Sequence, residues 1–436
     1  MNIPTFKHLL KDNSYVLLTM FLAYLANYVL NVFLARHLTP TDYADFSVAF
    51  GVIKFLVPFA LLGTQAAGLR YLPRYSKEKL WSRFKGFMNW SNKVFFVMLV
   101  IVIVIATLLV LLAFYLDLAG ITSLDAYHPL IYFIWLVPLY AFIALQSAIL
   151  QSLSRYTRSV IYVSLLFPIA LVLFLFTLLR WIEKINIYHV LFLVGITSLL
   201  IAGIQTISIK RMLPKEIKKY PPEYEKTRWF KAALTLLQPA ALKVGIMTLG
   251  LVLLEVLGHS EQIVAEYAVI TTIQGFILLI QTSINVVVSP LISAYRTEAA
   301  PLQFFVRKAN VLQLILGSIV FLFILFAGRF LIDHFGAHYE DPSIYLYLMI
   351  ISVVSFIGSI LLGLPTTVLL YSKHVVKLIK LAYVQFFLTL ILQLVLIPYY
   401  SIWGAIIGYS VGLLVYYLWA AILARRLIGI KTSLLM

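Results

Sequence analysis

Residues 93–116 read KVFFVMLVIVIVIATLLVLLAFYL, one lysine followed by twenty-three residues without a charge. Wound as an α-helix at about 1.5 Å per residue, that run is about 36 Å long and exceeds the roughly 30 Å hydrocarbon core of a bilayer. It is a membrane-spanning helix, and the same pattern recurs outward from it in both directions. Apolar stretches bounded by charge, Pro or Gly cover residues 14–35, 44–66, 93–116, 130–152, 159–179 and 189–209, then 231–256, 266–293, 309–332, 344–370, 380–398 and 402–424. The chain reads as an all-α polytopic membrane protein of about twelve transmembrane helices. Composition agrees: 62% of the residues are hydrophobic and 12% charged, with mean hydropathy +0.98, whereas soluble domains are nearer one quarter charged.

The charges that do occur are ordered. Of 34 Lys and Arg residues, 28 fall before the first span, in 67–93, 153–158, 210–231, 294–308 and 371–380, or after 424, all on one side of the twelve-span reading. The other side holds Arg36, Arg180, Lys184 and Arg329, together with eleven of the seventeen acidic residues, among them Asp117, Asp125, Glu261 and Asp341. The positive-inside rule makes the basic side cytoplasmic, and both termini with it. A net charge of +17 is thereby a matter of topology, and no nucleic-acid partner is expected. Met1–Ser14 is polar and leads into a full-length span, which reads as a retained first helix and not a cleaved signal peptide. Without cysteine there is no disulfide, thiolate nucleophile or Cys-based metal site, and the redox compartment stays open.

The basic loop 210–231, with Pro221 and Pro222, divides the chain into an N-terminal six-helix lobe (1–209) and a C-terminal six-helix lobe (232–436). Ala44-Asp45-Phe46-Ser47-Val48 in the second span is echoed by Ala265-Glu266-Tyr267-Ala268-Val269 in the eighth, and Phe55 by Phe276, at a constant offset of 221. Six-span halves of this kind imply parallel copies about an axis along the membrane normal.

Two ionisable residues lie well inside predicted spans, Lys54 in the second and Lys243 in the seventh. Facing lipid, either would cost roughly 2.5–3.5 kcal/mol or more, so each needs a cavity or a partner. No Asp or Glu occupies the middle of any span to provide one, and a phosphate is the natural counter-ion for an ammonium in a low-dielectric cleft. The plainer alternatives are a structural contact for Lys54 and, for Lys243, snorkelling from an interfacial helix broken at Gln238-Pro239. Gln65 lies eleven residues, three helical turns, after Lys54 and would share its face. Thr271, Gln274, Gln281 and Asn285 draw a polar stripe down the eighth span, and Asn27 and Asn31 repeat the pattern in the first. Such stripes either line a cleft or join helices; Gln146, Ser147 and Gln151 in the fourth span read as packing residues.

The run Phe33-Leu34-Ala35-Arg36-His37-Leu38-Thr39-Pro40-Thr41-Asp42-Tyr43-Ala44-Asp45-Phe46, followed by Leu69-Arg70-Tyr71-Leu72-Pro73-Arg74, resembles the opening of the polysaccharide transport family. That family contains the Wzx-type O-antigen flippases of the multidrug/oligosaccharidyl-lipid/polysaccharide (MOP) exporter superfamily. The resemblance implies a MOP/MATE-like fold of two six-helix bundles around a central cleft, lined mainly by the first, second, seventh and eighth spans. It also implies the substrate, an undecaprenyl-pyrophosphate-linked oligosaccharide carried across a bacterial-type inner membrane for lipopolysaccharide biosynthesis, with membrane lipid and a glycan-assembly complex as surroundings. On this reading Lys54, Lys243, Gln65, Asn27, Asn31, Gln274, Gln281 and Asn285 line the cleft. No catalytic residue, metal or cofactor is expected.

Three rivals compete with a flippase. An ion-coupled multidrug exporter of cations wants a membrane-embedded carboxylate, and Asp45, Glu255 and Glu266 lie only at outer span ends. A polymerase or ligase acting on lipid-linked glycan wants an acid–base or metal motif on a sizeable outer loop, and the outer loops run to only about fifteen residues. A scaffold would need no polar cleft at all.

Overall fold

The computed structural model describes residues 6–118, 129–153, 156–214, 217, 219–258, 260–295 and 299–433. Asp125 and parts of the 210–231 loop lie outside them. Sixteen α-helices succeed one another among the described residues, with no strand. They are α1 (Phe6–His37), α2 (Pro40–Ala60), α3 (Thr64–Lys77), α4 (Trp81–Leu118), α5 (Pro129–Phe133), α6 (Val137–Ser152), α7 (Tyr156–Val160), α8 (Phe167–Leu178) and α9 (Ile187–Met212), then α10 (Lys226–Leu257), α11 (Glu261–Ala294), α12 (Ala299–Asp333), α13 (Pro342–Ser355), α14 (Pro365–Tyr371), α15 (Val375–Tyr400) and α16 (Ile402–Ile428). Among the described residues, twelve stretches are long and apolar enough to cross a membrane, and each overlaps one of the twelve runs read from the sequence. The protein is a multi-pass membrane protein. On α4 the apolar side chains stand bare, Phe96, Val97, Val100, Ile101, Val104, Leu108 and Leu112 among them, as suits a helix bathed in hydrocarbon.

One span differs from its sequence reading in a way that matters. The run 44–66 does not form a single helix. The α2 helix starts at a Thr39 cap, whose hydroxyl accepts the Asp42 amide at 3.1 Å, with Pro40 in its first turn. It stops at Ala60 because Leu62 and Gly63 turn left-handed, with φ of 45° and 73°, and the Gly63 amide folds back onto the Pro58 carbonyl at 3.1 Å. Glycine is required there twice over: for its φ, and because a Cβ would fall 2.2 Å from the carbonyl oxygen of Ala233. The chain then restarts as α3, an amphipathic helix too polar to cross the membrane, in what the sequence presented as part of a basic loop.

By contacts the chain separates into two compact units, residues 37–248 and residues 1–36 with 249–436. This division differs from the lobes drawn from the sequence. It assigns α1 as far as Arg36 to the unit built mainly from the second half, and α10 as far as Thr248 to the unit built from the first half.

Within residues 37–248, one end is held by an aromatic cluster of Tyr71, Tyr75, Trp81, Phe84, Phe87, Trp90 and Trp229, packed on Ile149, Leu150 and Ile209. The Trp229 indole donates to the Tyr75 hydroxyl at 3.1 Å. The described part of the 210–231 loop is tied down here and is not a free basic segment: Arg83 pairs with Glu223 at 2.9 Å and with Glu225 at 3.3 Å. The more exposed pair, Arg83–Glu223, contributes about 0–1 kcal/mol, whereas each fully buried aromatic contributes roughly 1.5–3 kcal/mol. The rings hold the loop, and the charges set its register. In the same unit α6 and α9 are joined through polar groups, Gln146 donating to the Thr206 hydroxyl at 2.5 Å and Gln205 to the Ser147 hydroxyl at 2.9 Å.

In the other unit α1 is fixed by two tyrosines. The Tyr24 hydroxyl donates to the Thr272 carbonyl at 2.7 Å and the Tyr28 hydroxyl to the Leu331 carbonyl at 3.0 Å, while both rings pack on Phe276.

Candidate functional site

The site is built on α2. Its apolar side, Tyr43, Phe46, Ala49, Ile53 and Val57, is buried against α5, α6 and α9. Phe46, Phe50 and Lys54 follow one another at successive turns, i, i+4 and i+8, so they rise along one side of the helix. Phe46 and Phe50 stack at 5.4 Å, and Tyr140 of α6 meets Phe50 edge-on at 5.5 Å. The bracket so formed carries the Lys54 ammonium 4.3 Å from the centre of the Phe50 ring.

The Lys54 side chain is exposed, and among the described residues no carboxylate forms an ion pair with it. A cation–π contact gives roughly 0.5–2 kcal/mol, less than the roughly 2.5–3.5 kcal/mol that a lysine costs at the centre of a membrane helix. The ring orients the ammonium without satisfying it. Water or an anionic ligand has to supply the rest.

Lys243 is exposed as well, and its helix runs unbroken through Pro239. The separate interfacial helix that stood as the plainer alternative for Lys243 is therefore absent, and residues 231–256 lie within one helix, as the span reading expects. Two close approaches fix α10 against α2 and α3 in antiparallel register: a Cβ on Gly51 would lie 3.2 Å from the Thr248 methyl, and one on Gly63 would meet the Ala233 carbonyl. Lys54 and Lys243 both fall between those two points. They belong to one compact unit, where the sequence reading put one in each lobe, because α10 packs on α2 and α3 irrespective of where the halves join.

Of the other expected cleft residues, Gln65 is on α3, beyond the left-handed corner, so the three-turn spacing that aligned it with Lys54 does not hold. The remaining candidates lie in the other unit, where the polar groups of three of them, Gln274, Gln281 and Asn285, serve helix contacts. Gln274 donates to the Ser355 hydroxyl at 2.5 Å and to the Tyr409 hydroxyl at 3.3 Å. The Gln281 carbonyl oxygen accepts from the Tyr417 hydroxyl at 2.8 Å, and Asn285 accepts from the Thr367 hydroxyl at 2.5 Å. The Asn31 amide donates to the Asn27 carbonyl of its own helix at 2.8 Å. Sequence reasoning missed Phe50 and Tyr140. The Phe-x3-Phe-x3-Lys spacing was the available signal for the first, and nothing in sequence points to the second.

Residues 9–236, just over half of the chain, match the family model described as polysaccharide biosynthesis protein. No curated protein matches by sequence. Among solved structures, the MATE multidrug transporter DinF-BH is 15% identical with TM-score 0.68, over 100% of this chain and 97% of that one. Lipid II flippase MurJ in an inward closed conformation is 14% identical with TM-score 0.61, over 94% and 87%. A MOP superfamily transporter from Pyrococcus furiosus, described by the reverse polarity of its binding pocket, is 13% identical with TM-score 0.65, over 95% of each. The fold is that of the MOP superfamily.

Proposed function

The chain belongs to the family of polysaccharide biosynthesis proteins, and on that premise we propose that it is a flippase for an anionic, lipid-linked saccharide. Lys54 meets the phosphates of the lipid carrier, and alternating access exposes it first to one face of the membrane and then to the other. The observation that carries this reading is an exposed ammonium, held on an aromatic bracket inside a spanning helix and without a carboxylate partner among the described residues. The finer statement follows from the resemblance at residues 33–46 and 69–74: a Wzx-type carrier of an undecaprenyl-pyrophosphate-linked oligosaccharide for O-antigen, in a bacterial-type inner membrane, with both termini cytoplasmic. Lys243, in the same unit, is the second cation for a diphosphate.

Charge sign separates this reading from the export of cationic drugs, the rival that the multidrug transporters among the structural neighbours bring to mind. A cationic drug would meet an ammonium of its own sign in α2. In cells that depend on this protein for surface glycan, Lys54→Gln should lose most export per molecule of folded protein in the membrane. Undiminished export from folded Lys54→Gln protein would overturn the assignment.

A further inference from the structure

The α3 helix has two unlike sides. Ala67, Gly68, Tyr71, Leu72 and Tyr75 are buried in the aromatic cluster that also receives the ends of α6, α9 and α10. Leu69, Arg70, Pro73, Arg74 and Lys77 lie on the opposite side and are exposed. Repeats at i, i+4 and i+8 (69, 73, 77) and at i, i+4 (70, 74) make this one continuous face. It is flanked at the same end of the unit by exposed Lys79, Arg158, Lys210 and Arg211. Glu78, the one acid on the segment, engages Arg74 at 2.8 Å and leaves Arg70 and Lys77 without an acidic partner among the described residues.

Position fixes what such a face can meet. The α3 helix begins directly after the corner that ends the spanning helix α2, and four residues after it begins α4, which carries the next apolar span at 93–116. A helix tethered directly to the end of a span lies near a bilayer surface, and a cluster of basic residues beside a span end is what anionic headgroups attract.

We propose that α3 docks its Leu69–Lys77 face onto the anionic phospholipid headgroups of the adjoining leaflet, independently of the transported substrate. Arg70, Arg74 and Lys77 contact the headgroup phosphates, and Leu69 and Pro73 enter the boundary beneath them. Each basic residue close to such a surface contributes about 1 kcal/mol, roughly a fivefold preference. The face thereby draws acidic lipid to the end of the unit where the 210–231 loop is clamped.

The native chain has no cysteine, so a bimane-labelled Leu69→Cys variant reports on this face alone. It is placed in nanodiscs of phosphatidylcholine and phosphatidylglycerol containing a headgroup-proximal quencher carried on one lipid or on the other. The expected result is quenching severalfold stronger by labelled phosphatidylglycerol, falling to parity in 0.5 M salt and in the Arg70→Gln/Arg74→Gln/Lys77→Gln background. Near-equal quenching by both lipids, or none by either, overturns the proposal. So does selectivity that appears only when a polyprenyl diphosphate is added, since α3 would then belong to the transport path. The triple variant must keep its thermal unfolding transition; if it does not, the salt titration of the singly labelled protein decides alone.

Discussion

Two helices begin at matching places in the two halves of the chain, and they do opposite things at one position. Pro40 of α2 and Glu261 of α11 are 221 residues apart, the offset that also relates Ala44–Val48 to Ala265–Val269. At that offset Lys54 corresponds to Gly275. Lys54 stands exposed with its ammonium on Phe50. Gly275 carries no side chain, and Tyr24 of α1 lies against the helix there: a Cβ would sit 1.6 Å from the tyrosine hydroxyl. One half keeps a charge open to the surroundings, and the other fills the equivalent place with a ring. The same contrast extends along both helices, since the polar groups Gln274, Gln281 and Asn285 of α11 bond to neighbouring helices. At this offset the position on α2 stays open and the position on α11 is packed shut.

If that contrast is right, the largest stability effect should come from Gly275→Ala. The new methyl must displace Tyr24, break its 2.7 Å bond to the Thr272 carbonyl and disturb its packing on Phe276, which should cost about 1–3 kcal/mol. Thermal unfolding of the purified protein in detergent measures it, and an unchanged transition would mean that α1 does not depend on this contact. Gln274→Leu comes next. It removes the bonds to Ser355 and Tyr409 and should cost about 0.6–1.7 kcal/mol, from the mean to the maximum for polar contacts between membrane helices. Loss of export from this variant at unchanged stability would instead return Gln274 to the substrate path. The smallest effect belongs to Gly51→Ala. The methyl meets only the end of Thr248 at 3.2 Å, and helix propensity offsets the crowding by about 0.5–1 kcal/mol. Its unfolding transition should lie close to that of the native protein, and a drop as large as that of Gly275→Ala would erase the contrast between the halves.

Much of this was legible in the sequence, and the illegible parts share a cause. Length and hydropathy reveal every span, because each span answers to the bilayer alone. Lys54 was conspicuous because a charge inside an apolar run is costly wherever it points. Gln65 misled because Leu61-Leu62-Gly63 reads as a continuation of an apolar run, and only the backbone shows Leu62 and Gly63 turning left-handed. Amphipathic α3 was hidden for the same reason, its first residues counted with the span and the rest with the basic loop. The partners of Gln274, Gln281 and Asn285 depend on which helices meet, and so does the placement of α1 with the second-half helices. Periodicity tells which side of a helix is polar, and long-range packing decides what that side touches.

If Lys54 recognises its ligand by charge, binding will show it. Affinity for a polyprenyl diphosphate should be measured on purified native, Lys54→Arg and Lys54→Glu proteins of equal thermal stability. Lys54→Arg should bind within a few fold of the native protein. Lys54→Glu, which sets a carboxylate against the phosphates, should bind at least about tenfold more weakly, a loss of about 1.4 kcal/mol or more. Native-like affinity in folded Lys54→Glu protein would rule out recognition by charge and leave Lys54 a structural residue.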